Sequence, residues 1–130
     1  SAQSPVRRHG GTAFGPVKRD HSIKLNKKVK KLALASVIGE KIRNKALMVV
    51  DTLALEDHKT KTLANLMTKW GKTSAVLVYS EENVNLELAA RNLGSVKVVH
   101  VTGLNVYDVL KFDNVVIEKN ALSELEKRLV

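Results

Sequence analysis

Nine bases stand within the first thirty-one residues: Arg7, Arg8, Lys18, Arg19, Lys24, Lys27, Lys28, Lys30 and Lys31. Only one acid, Asp20, stands among them. Side chains of this type at this density suit one kind of chemistry, the neutralisation of a polyanion, because each seated Lys or Arg releases counterions condensed on a phosphate backbone. The other ninety-nine residues hold thirteen bases and twelve acids, so nearly all of the formal +9 charge lies at one end. A near-neutral part joined to a strongly basic lead points to nucleic acid.

Four of these cations carry the argument further. Lys27, Lys28, Lys30 and Lys31 fall in the first turns of an expected helix. There the helix macrodipole favours acids and disfavours each exposed cation by about 0.3 to 1 kcal/mol. Local stability therefore does not account for them, and contact with phosphate does. The stretch Arg7-Arg-His-Gly-Gly-Thr-Ala-Phe-Gly-Pro16 is no phosphate loop, since no strand precedes it and no Gly-Lys-Ser/Thr follows. It suits a strand that tracks RNA: Gly10 and Gly11 allow close backbone approach, Arg7 and Arg8 pair with phosphate, and Phe14 or His9 stack on an unpaired base. The plain alternative is a tail with incidental charge.

Acids near expected strand ends raise the question of an enzyme: Asp51 with Glu56 and Asp57, and Glu81 with Glu82. Carboxylates beyond the carboxyl ends of parallel strands can hold a metal or exchange protons. No nucleophile elbow, metal-binding His pair or glycine-rich turn accompanies them, so they read as solvated turn residues. His9, His21, His58 and His100 are too dispersed for a local ligand motif, and His100 reads as an accommodated sheet residue. Trp70 and Tyr79 read as core or rim aromatics. The expected cofactor and metal sets are both none. A membrane surface would need an amphipathic face or a lipidation signal beside the charge, and neither is present. With no cysteine, the chain has no disulfide framework and no thiolate metal site.

The elements that position these residues follow from periodicity. Glycines and prolines at 5, 10, 11, 15 and 16 break regular backbone, so residues 1–25 read as an extended basic arm and residues 26–130 as one globular domain. Asn26 is placed to cap a helix over 27–43, with a wide apolar stripe of Val29, Leu32, Ala33, Leu34, Ala35, Val37, Ile38 and Ile42. Apolar runs at 46–50, 75–79, 96–101 and 115–117 read as buried strands. Helical spacing recurs through Leu63, Leu66, Met67 and Trp70 to a stop at Gly71, and again at 86–93, 106–110 and 122–129. Strands apolar on both faces and separated by helices mean an α/β fold: an open, mainly parallel sheet of about four strands with helices on both faces. Strand order is not readable at this level.

Four stretches carry a resemblance. GGTAFGPVKRDHSIKLNKKVKKLALAS and, further on, HKTKTLANLM, LELAARNL and GLNVYDVLKFDNVVIEKNAL occur in the same order as motifs of the bacterial-type large-subunit ribosomal protein L four family, whose C-terminal portion the chain resembles. The resemblance implies a non-enzymatic, cytoplasmic, ribosome-bound protein. Its partners would be large-subunit ribosomal RNA, neighbouring ribosomal proteins and, as a second RNA target, a messenger-RNA leader through which some family members repress their own operon. It implies RNA-facing roles for the GGTAFGP stretch and for Arg19, Lys24, Lys27 and Lys28. It implies a structural role for Asn105, Tyr107 and Asp108. The rival from another class is an α/β nucleotide-binding or hydrolytic domain with a basic tail, which requires a deep pocket at the strand C-termini with inward-pointing acids.

Overall fold

The computed structural model describes residues 3–129. Ser1, Ala2 and Val130, the outermost residues of the two expected segments, lie outside the described residues. Elements follow in the order α1 (Lys27–Arg43), β1 (Leu47–Val50), α2 (Thr60–Lys69), β2 (Ala75–Tyr79), α3 (Val84–Arg91), β3 (Val96–His100), a 3-10 turn (Val101–Gly103), α4 (Val106–Lys111), β4 (Asn114–Glu118) and α5 (Lys119–Leu129). All strand pairs are parallel, in the spatial order β1-β4-β2-β3.

Alternation along the central strands divides the core in two. Val76 and Val78 of β2, with Val115 and Ile117 of β4, pack beneath Leu34 and Ile38 of α1, Val109 of α4, and Ala121 and Leu125 of α5. Ala75, Leu77 and Tyr79, with Val116, face Leu63 and Met67 of α2 and Leu86, Ala89 and Ala90 of α3. Every residue of β2 is buried, as the uninterrupted apolar run requires of a central parallel strand. Removing a Val, Leu or Ile side chain from water in this way contributes about 1.5 to 3 kcal/mol each.

Helix stops are as legible as the strands. Gly71 has φ of 66°, and its N–H donates to Thr68 O while that of Lys72 donates to Met67 O. That is the left-handed cap which glycine reaches without strain. α1 ends in the same pair of bonds, Lys45 to Ile42 and Ala46 to Lys41, but Lys45 holds the left-handed position with φ of 53°.

Two expectations need correction. The stripe on α1 is narrower than its sequence indicates, for Val29, Leu32 and Ile42 are exposed and only Leu34 and Ile38 are fully buried. The helix buries Leu34 and Ile38 in the middle of its length, while Val29 and Leu32 near its start and Ile42 near its end stay exposed. Asn26 does precede α1, yet its side chain makes no capping bond.

Candidate nucleic-acid interface

Residues 3–26 form no helix or strand. Residues 3–11 do not run extended but fold back in successive turns, closed by Arg7 N to Ser4 O, Gly10 N to Arg7 O and Gly11 N to Gln3 O at 2.9 to 3.0 Å. His9 sits in the left-handed region with φ of 61°. A Cβ on Gly10 would stand 1.9 Å from Ser4 O, so the turn itself requires glycine there, independently of any close approach by a ligand. From Gly11 to Leu32 every residue is exposed, and Phe14 is 98% so, with no intramolecular surface to stack on.

All nine bases of the basic lead are exposed, and among the described residues none forms a salt bridge. The lone acid, Asp20, is turned to local use. Its carboxylate accepts from the backbone N–H and hydroxyl of Ser22, each at 2.8 Å, and the backbone bond first, then the hydroxyl, holds its pKa below the usual value. The cationic lead therefore has no internal anion to satisfy it.

At the start of α1 the four lysines stand with no acid in the first turn and no side-chain cap. α2 likewise starts with neither a side-chain cap nor an acid in its first turn, but α3 and α4 are begun differently. Asn83 accepts from Leu86 N at 3.1 Å with Glu87 in the first turn of α3, and Asn105 accepts from Asp108 N at 2.8 Å at the start of α4. Asp108, 1% exposed, also accepts from Lys97 Nζ at 2.7 and 2.8 Å and from Asn105 Nδ2 at 2.8 Å. Asn105 and Asp108 thus tie α4 to β3 and serve the fold. Tyr107, between them, is exposed.

The crevice beyond the carboxyl ends of the strands is where an open α/β sheet would hold a small ligand. Here it is a cavity of about 230 Å³ bordered by Leu53, Tyr79, Glu81, Glu82 and Glu118. Glu118 accepts from Ser80 N at 3.2 Å, and Ser80 Oγ donates to Glu124 at 2.7 Å. Three glutamates border it, the reverse of a phosphate cradle. Asp51, Glu56 and Asp57 do not join them in a ligand set: among the described residues no group of three or more His, Asp or Glu is placed to hold a metal ion. Asp57 instead pairs with Lys59 at 3.4 Å. His100 is a sheet residue, its Nε2 donating to Ser80 O at 2.9 Å and its Nδ1 accepting from Thr102 N at 3.2 Å. Tyr79, against whose ring His100 sits edge-on, donates its hydroxyl to Glu87, and that bond, with burial, pushes its pKa up to about 12.

One cation near the lead has no local signal in the sequence. Arg128 lies in the last turn of α5, where a base is the ordinary complement of the helix dipole. The fold brings it beside Lys30 and Lys31 of α1.

Fold and surface define a class: a parallel α/β domain whose first helix and the segment before it form one exposed polycationic surface. The chain belongs to the ribosomal protein L4/L1 family, whose pattern matches residues 1–128. It is 44% identical over 128 residues to the large ribosomal subunit protein uL4 of Desulfatibacillum aliphaticivorans, and 41% identical over 127 residues to that of a Thermoanaerobacter strain. Identity to the uL4 of Thermotoga maritima is 43% over 149 aligned positions. These alignments cover 98 to 99% of this chain but only 62 to 63% of each relative, so the chain spans less than two thirds of their length. No helix among the described residues is long and apolar enough to cross a membrane.

Proposed function

We propose that this chain is a structural, non-enzymatic constituent of the large ribosomal subunit, working in the cytoplasm on the ribosome, that binds ribosomal RNA through its basic lead and the first turns of α1. Residues 1–25 act as the RNA-seated arm and residues 26–130 as the domain that sets its direction. Arg7, Arg8, Lys18, Arg19, Lys24, Lys27, Lys28, Lys30 and Lys31 meet phosphates, while His9 and Phe14 stack on unpaired bases beside the Gly10-Gly11 turn. Neighbouring ribosomal proteins complete its surroundings. The observation that carries this reading is the run of nine exposed bases with no acid partner among the described residues, continuous into a helix start that has neither cap nor acid. Membership in the ribosomal protein L4/L1 family supports ribosomal RNA as the polyanion.

Lysine acetylation footprinting tests it. With protein-free bacterial large-subunit ribosomal RNA bound, Lys18, Lys24, Lys27, Lys28, Lys30 and Lys31 should be protected from acetylation, while the exposed Lys45, Lys61 and Lys69 react as in the free chain. Equal reactivity of the two sets with RNA bound would overturn the assignment.

A further inference from the structure

The first and last helices meet at a small basic cleft. Lys30 and Lys31 of α1 and Arg128 of α5, with Leu34 and Leu129 as apolar wall, enclose about 90 Å³. Arg128 is half-buried and its guanidinium is oriented, because Nη1 donates to Val101 O at 2.7 Å and leaves its other donors uncommitted. Among the described residues none of the three cations has a salt-bridge partner. Three uncompensated cations around one concavity repel each other, and an anion relieves that repulsion. The cleft also has a neighbour of the same sign: Lys27, Lys28 and Lys31 line a broader hollow that shares Leu129 with it. The lysines of α1 thus lie between the arm and Arg128 in the last turn of α5.

We propose that Lys30, Lys31 and Arg128 form a seat for one RNA backbone phosphate, with Arg128 fixed by Val101 O so that its free N–H groups face the phosphate oxygens. The warrant is the three-sided cavity between two helices and the anchored guanidinium, which presents directed donors to a phosphate where a lysine gives only a point charge. The inference rests on the RNA-binding function proposed above and adds to it that the last turn of α5, beside the start of α1, is part of the contact surface.

Salt-dependent binding of the full chain to protein-free large-subunit ribosomal RNA tests it, with Arg128→Gln as the variant, since glutamine can still donate to Val101 O. Loss of one seated phosphate lowers the slope of log affinity against log salt by about 0.7 to 0.9, which is a five- to eightfold loss at about 0.1 M salt. Arg128→Lys should keep the slope. An Arg128→Gln chain with unaltered slope and affinity, in a preparation where the parent binds with steep salt dependence, would overturn the seat and leave the arm's role standing. A parent chain that shows no salt-dependent binding would bring down the broader function instead. A variant that loses thermal stability but retains its slope would mark Arg128 as purely structural, and so also contradict the proposal.

Discussion

α4 and α1 begin in opposite ways. α4 has an asparagine cap, an acid in its first turn, and that acid buried against a lysine of the neighbouring strand. α1 has an asparagine that does not cap, no acid, and four lysines. The same chain therefore has the means to start a helix well and does not use them at α1. What is given up there is local stability, about 0.3 to 1 kcal/mol for each exposed cation in the first turn. What is gained is an uncompensated positive surface joined to the basic lead. Since α2 also starts with neither cap nor acid, what sets α1 apart is its four lysines and their continuity with the basic lead.

The largest expected effect tests that contrast as a whole. Deleting residues 1–25 removes five bases, Arg7, Arg8, Lys18, Arg19 and Lys24, and at about 0.7 to 0.9 log units each near 0.1 M salt the loss in RNA affinity should exceed about 10³-fold. The urea midpoint of the remainder should stay unchanged, because neither core contains any residue before Leu34. Unchanged affinity in a filter-binding assay would remove the arm from the mechanism.

At the other helix start the outcome should be reversed. Asp108→Ala strands Asn105 Nδ2 and Lys97 Nζ and should cost about 1 to 3 kcal/mol in urea unfolding, with the RNA salt slope unaltered. A changed slope would mean that α4 belongs to the interface.

A smaller effect crosses the two properties in one variant. Lys28→Glu puts an acid in the first turn of α1 and should raise stability by about 0.3 to 1 kcal/mol while weakening RNA binding at least five- to eightfold. If stability and affinity moved together, α1 would be an ordinary helix start after all.

The smallest effect lies away from both helices. Tyr79 has a folded pKa of about 12, above the usual 10, so its stabilising share is complete below pH 10 and is lost as pH rises through about 12. Tyr79→Phe should remove a late tyrosinate component from the absorbance titration and flatten that part of the stability profile. A titration in which the variant retains the late component would remove Tyr79 from it.

Much of this arrangement was legible in the sequence wherever a short-range pattern decides it. Helix α1 spans 27–43 and strand β2 spans 75–79 as periodicity indicates, and the apolar runs became a parallel sheet with helices on both faces. Strand order was not legible, because the insertion of β4 between β1 and β2 depends on which crossover packs on which face. Nor was the exposure of Val29, Leu32 and Ile42, since an apolar stripe records what a helix offers and not how far the sheet beneath it extends. The turn at residues 3–11 is not legible either, because its closing bonds join backbone groups and leave only Gly10 as a trace. The cationic lead was plain in the charge count, whereas Arg128 became part of the surface only through the meeting of two helices nearly a hundred residues apart in the chain.

The salt dependence of RNA binding by the full chain tests the central claim most directly. Five to eight seated phosphates give a slope of log affinity against log salt of about −4 to −7. A slope near zero would show that the nine exposed bases are not what holds the RNA.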